Sequence, residues 1–147
     1  MTQPLSAETK AIVKSTALAI QQHGLAITTR MYERLFVDPD IKALFDQAAQ
    51  TSGEQPRRLA AAILAFAQNV DKLEALAPAI AKIAHRHVET GIRPEHYPAV
   101  ANALLPAIRD VLGDAASDKV LTAWGEAYWF LADVLIGEEA VLYEKAA

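Results

Sequence analysis

Apolar residues recur at helical spacing along nearly the whole chain. Between Ala79 and Gly91, the residues Ile80, Ile83, Ala84 and His87 fall at i, i+3, i+4 and i+7, which is one face of an α-helix. Thr28, Met31, Tyr32 and Leu35 make a second such stripe, and Leu59, Ile63, Phe66 and Val70 a third. Tyr97 leads Val100, Ala101, Leu104 and Ile108; further on, Leu121, Trp124, Tyr128, Leu131 and Leu135 run on to Glu139. Sustained alternation and the Asn-Gly or Asp-Gly signals of hairpins are missing, so the pattern predicts an all-α protein.

Capping residues divide this pattern into elements. Ser6 is a good N-cap for a first helix ending near Gly24, and a second is expected from about Leu25 to Phe36, stopped by Pro39. A short turn, IKALF, and a loop of small polar residues, DQAAQTSGEQ, follow. Pro56 suits the first turn of a helix through Asn69, and the helix bearing His87 is expected from about Pro78 to Thr90, ending at Gly91. Pro94 opens another that ends before Gly113, and Ser117 caps a last long helix reaching about Lys145. Pro106 lies inside the penultimate helix, where an interior proline costs about 3 kcal/mol and predicts a kink.

Composition narrows the function classes. A chain of 147 residues reads as one domain. A domain of that size buries about 70% of its unfolded surface, enough for a core with a cofactor inside it. No run approaches the roughly 18 apolar residues of a membrane span, and MTQPLSAETK has no secretion-signal pattern, so an integral membrane segment is not expected and the cytoplasm is. The absence of cysteine excludes disulfides, thiolate metal sites, cysteine nucleophiles and covalent haem attachment. A formal charge of −4, without clustered Lys and Arg, argues against nucleic acid as a partner.

Polar residues on the apolar stripes are the candidate chemistry. His87 faces the core, while His85 points about 200° away. An inward imidazole needs a hydrogen bond or a metal for each ring nitrogen. Tyr32, Tyr97 and Glu139 continue or head other stripes, and Gln55 stands one turn before Leu59. A carboxylate on such a stripe is expensive to bury without a partner, and an imidazole N–H is one such partner. Spacing alone leaves open whether these helices meet.

The segments TTRMYERLF, LFDQAAQTSGEQPRRLA, AQNVDKLEALAPAIAKIAHRHVETGIRPEHYP, VLGDAASD and AWGEAYWFLADVLIGEEAVLYEK cover nearly the whole chain. In that order the sequence resembles the bacterial haemoglobins of the flavohaemoglobin class, both the globin domain of flavohaemoglobins and the single-domain type. The resemblance implies a globin fold over residues 1–147 enclosing haem b, with helices packed at about 50°. It makes His87 the iron ligand, and Tyr32 and Gln55 the polar pair on the opposite, distal side. Leu59 becomes the apolar residue over the iron and Phe45 the ring packed on the haem. Tyr97 and Glu139 are the groups bonded around the ligating histidine, and Arg86, beside it, is placed to face a haem propionate.

The same resemblance implies binding of O2 and NO, and nitric oxide dioxygenation to nitrate. No dinucleotide fingerprint or room for a flavin domain exists in the chain, so either a separate flavin-containing reductase is the expected partner or the chain is an excised globin domain. The alternative is an oxygen-binding and transport globin without significant turnover. A monomer or a homodimer fits either role. The sequence departs from the family pattern in four places: Trp129 stands where glycine is frequent, Pro106 where a helix-tolerant residue is usual, Arg86 where lysine is frequent, and the loop before Phe45 is one residue short.

Overall fold

The structure, a computed structural model, describes residues 5–44 and 54–146. Its helices are α1 (Ala7–Ser15), α2 (Ala17–Leu35), α3 (Pro39–Lys42), α4 (Glu54–Gln68), α5 (Ala77–Thr90), α6 (His96–Leu112) and α7 (Asp118–Ala146). Short 3-10 turns occupy Leu73–Leu76 and Gly113–Ala115, and the described residues contain no strand. The expected all-α class and most caps hold. Ser6 accepts the Thr9 N–H at 3.1 Å, and the Ser117 carbonyl accepts the Leu121 N–H at 2.9 Å. Gly91, at φ 83°, ends α5 in the left-handed region as anticipated, and the N–H of Ile92 reaches back to the carbonyl of His87 at 2.9 Å.

The first break falls at Thr16 instead of Gly24, for tertiary reasons. The Thr16 hydroxyl donates to the Ile12 carbonyl at 2.9 Å and accepts the Trp124 indole N–H at 2.8 Å, fixing the corner against α7. Gly24 then lies buried inside α2, where a Cβ would come within 3.2 Å of the Ala60 Cβ on α4. Glycine serves close helix approach here, not termination. Helix α6 likewise continues unbroken through Pro106. Proline leaves the carbonyl of Asn102 without its usual donor, but Asn102 is exposed and water can serve it.

Helix α2 is the spine of the molecule, packed along one side on α6 and along another on α4. Thr28, fully buried, donates to the carbonyl of Pro56 at 2.9 Å and so anchors the first turn of α4 to α2. Helix α5 leans on α7. The apolar core consequently has two parts. The larger contains Ile27, Met31, Tyr32, Leu35, Phe66, Leu104 and Trp124, with Leu59 packed on it. The smaller contains Ala84, Tyr97, Ala132 and Leu135, with Ile80 and Ile83 packed on it. Tyr128 and Leu131 touch both. None of the described helices is long and apolar enough to cross a membrane.

Asp110 on α6 receives Arg30 at 2.9 Å and Arg34 at 2.6 Å, both from α2. These hydrogen bonds hold its carboxyl below the usual carboxylate range. A lowered folded-state pKa gives stability that is present above the unfolded value of about 3.9 and is lost as pH falls through the folded value. Asp110→Asn is therefore expected to lower the thermal midpoint at neutral pH. Its difference from the parent should close on acidification, as followed by circular dichroism. Gly24→Val should cost about 1–3 kcal/mol in denaturant unfolding, with part recovered by adding Ala60→Gly.

Candidate functional site

The site is built on α5, α6 and α7. His87 projects from the apolar stripe of α5, with its side chain 30% exposed. Its Nδ1 lies 2.8 Å from Oε2 of Glu139 on α7 and 3.1 Å from the hydroxyl of Tyr97 on α6. The Tyr97 hydroxyl in turn lies 2.8 and 2.9 Å from the two carboxylate oxygens of Glu139 and donates to that group. Three residues that the chain separates by up to 52 positions thus form one hydrogen-bonded cluster.

Glu139 is only 3% exposed, and its carboxylate accepts from both partners. A buried carboxylate of this kind is tolerable because each donor replaces lost water. It also decides the tautomer of His87. Nδ1 carries the proton toward Glu139, which leaves Nε2 with its lone pair outward. Among the described residues Nε2 has no hydrogen-bond partner. Burial raises the pKa of the Tyr97 phenol above its ordinary value, and its bond to Glu139 raises it further. Tyr97 therefore stays a donor at any physiological pH.

The other expected site residues divide between the two cores and the surface. Tyr32 is buried in the larger core, with its ring centroid 5.3 Å from that of Phe36. Leu59 is half-buried at the edge of the same core. Arg86 is exposed beside His87. Gln55 falls in the first turn of α4, but its side chain lies outside the described residues, as does Phe45. The distal and proximal candidates therefore occupy different halves of the core. α4 and α5, which carry Leu59 and His87, are not closely packed on each other.

Two further tyrosines support the cluster: Tyr128, which the sequence marks only as a member of the last apolar stripe, and Tyr143, which it does not mark. Tyr128 donates to the Tyr97 backbone carbonyl at 2.6 Å and seats the first turn of α6 against α7. Tyr143 donates to the Ile92 carbonyl at 2.5 Å, and the Arg93 guanidinium sits 4.3 Å over its ring. Tyr143 thus holds the loop after His87 to the last turns of α7, and Tyr128 holds the start of α6 to its middle.

The family model for globins matches residues 29–135. The chain belongs to the globin family. It is 53% identical over 144 residues to a flavohemoprotein of Xylella fastidiosa, a match that covers 98% of the chain but 36% of that protein. Among solved structures, an engineered carbene transferase from Rhodothermus marinus, described there as a candidate nitric oxide dioxygenase, superposes with a TM-score of 0.90 at 37% identity. That match covers 97% of this globin and 98% of the other chain. The flavohemoglobin of Malassezia yamatoensis, solved with bound FAD and haem, gives 0.89 at 32% identity, covering 97% of this globin and 38% of that protein. The globin thus spans about a third of the flavohemoproteins it matches.

Removing one donor from the cluster should be visible without any ligand. Tyr97→Phe leaves Glu139 buried with a bond fewer, and should lower the free energy of denaturant unfolding by about 1–3 kcal/mol. Tyr32→Phe, outside the cluster, leaves the His87–Glu139 contact intact, which the imidazole proton resonance of His87 would report.

Proposed function

We propose that this globin holds haem b through His87 and supports nitric oxide dioxygenation to nitrate, drawing electrons from a flavin-containing reductase in the cytoplasm. The observation that carries this reading is the grip of buried Glu139 on His87 Nδ1 at 2.8 Å. That contact puts a proton on Nδ1 and leaves Nε2 as the nitrogen through which His87 would hold a metal. The donor set fits a haem iron: an imidazole whose Nδ1 is held by a buried carboxylate and whose Nε2 has no partner among the described residues. The relatives with haem, FAD or nitric oxide dioxygenase in their names lend support from outside the chain.

Haem, when bound, supplies an iron that takes up O2 and exchanges electrons. The chain does the rest. His87 would donate through Nε2, and the carboxylate accepting its Nδ1–H gives the imidazole partial imidazolate character, which strengthens that donation. Tyr97 holds the carboxylate in line so that the push does not decay through motion of Glu139. Tyr32, from the larger core, and Gln55, at the head of α4, are the groups assigned to hydrogen-bond charge developing on the distal side. Leu59 and the apolar stripe of α4 are assigned to exclude water there, and exposed Arg86 to pair with a propionate.

His87→Ala is expected to abolish the Soret band of the purified protein. Glu139→Gln should retain haem but shift the iron–histidine stretch to lower frequency in resonance Raman spectra; an unchanged stretch would overturn the push. Stopped-flow mixing of the O2-saturated ferrous protein with NO should give nitrate rapidly, and turnover should continue with NADH and an added flavin reductase. Slow NO loss with persistent O2 binding would identify an oxygen-delivery globin instead.

A further inference from the structure

Trp129 has no part in the cluster, yet it ends an unbroken line of contacts leading to it. Its indole is 38% exposed on α7. The Tyr128 ring stands edge-on to it, with centroids 5.3 Å apart and planes at 89°. The Tyr128 hydroxyl meets the carbonyl of Tyr97 at 2.6 Å, and the Tyr97 hydroxyl lies 3.1 Å from His87 Nδ1. Every step from solvent to the histidine is a ring contact, a hydrogen bond or a covalent bond of Tyr97 itself.

We propose that Trp129, Tyr128 and Tyr97 form a relay that carries single electrons inward from a surface donor to a haem oxidised by hydrogen peroxide. This second activity rests on the haem reading given above. Indoles and phenols are the most readily oxidised side chains in a protein without cysteine, and the chain contains two tryptophans and four tyrosines. The alternatives to Trp129 are closed one by one. Trp124 is 4% exposed, with its N–H held by Thr16, so it meets no external donor. Tyr32 is buried in the other core half. Tyr143 carries the Arg93 cation over its ring at 4.3 Å, which opposes a positive hole there.

Within the relay, Tyr128 is a bridge and not a resting place. Burial keeps its phenol protonated, and its proton points at a peptide carbonyl that cannot take it away. The electron therefore leaves from the exposed indole. Reduction of one hydrogen peroxide to two waters takes two electrons and two protons. Haem, when bound, would supply both electrons, with the two protons drawn from water; the relay would return the electrons singly, Trp129 each time losing an electron inward and its N–H proton to water. A surface donor then restores Trp129 by giving up one hydrogen atom, and a second donor repeats the step. Glu126 and Asp133 lie three residues before and four after Trp129, on the same side of α7. Their charge favours neutral or cationic phenols and arylamines over anionic donors.

The test uses the haem-loaded protein, hydrogen peroxide and guaiacol, a neutral phenol. Rapid freezing after peroxide should give the electron paramagnetic resonance signal of a tryptophan radical. A nitroso spin trap should label Trp129 by peptide mass spectrometry. Trp129→Phe should lose the tryptophan signal, slow guaiacol oxidation and hasten haem bleaching, with the Soret band before peroxide unchanged. Trp124→Phe should keep the signal, and Tyr128→Phe, which deletes only the hydroxyl bridge, should diminish the label at Trp129. A normal Soret band with no radical or label at Trp129, or a signal that survives Trp129→Phe, overturns the relay alone. Absence of a Soret band overturns the haem reading and the relay with it.

Discussion

The buried carboxylate of Glu139 is the constraint on which the functional half of this globin depends. A carboxylate at 3% exposure must be matched by donors, and the two it finds come from helices remote in the sequence. Meeting that requirement brings α5, α6 and α7 to one point. It also selects the tautomer of His87. Structure and chemistry are therefore set by the same three contacts, and neither can be altered without the other.

The remainder of the fold positions the opposite wall. α2 is held to α4 where Gly24 admits Ala60 and where Thr28 takes the Pro56 carbonyl. Those two contacts fix the height of α4, and with it Leu59, along α2. The bonds from Tyr128 and Tyr143 do the corresponding work on the proximal side by fastening α6 and the loop after His87 to α7.

What the sequence disclosed follows from the kind of signal each feature leaves. Apolar periodicity marks a helix directly, so the stripes and the inward aim of His87, Tyr97 and Glu139 were legible. Their meeting was not, because spacing on separate helices carries no distance; family resemblance supplied that link, and the three side chains are hydrogen-bonded in the fold. The corner at Thr16 escaped because both glycine and threonine can end a helix locally. Trp124 and Ala60, distant in sequence, decided between them. Tyr128 and Tyr143 escaped for a different reason: their partners are backbone carbonyls, which every residue possesses and no letter reveals.

The division of the core also bears on how evenly the molecule resists opening. α2 is clasped on two sides by α6 and α4, whereas α5 leans on α7. Local unfolding follows such differences, since elements with fewer buried contacts open at lower free energy than the global transition. The helix that carries His87 can thus detach while the larger core remains assembled. Amide exchange on α5 would outpace that on α2, and whatever His87 holds would be released at the cost of that local opening and not of global unfolding.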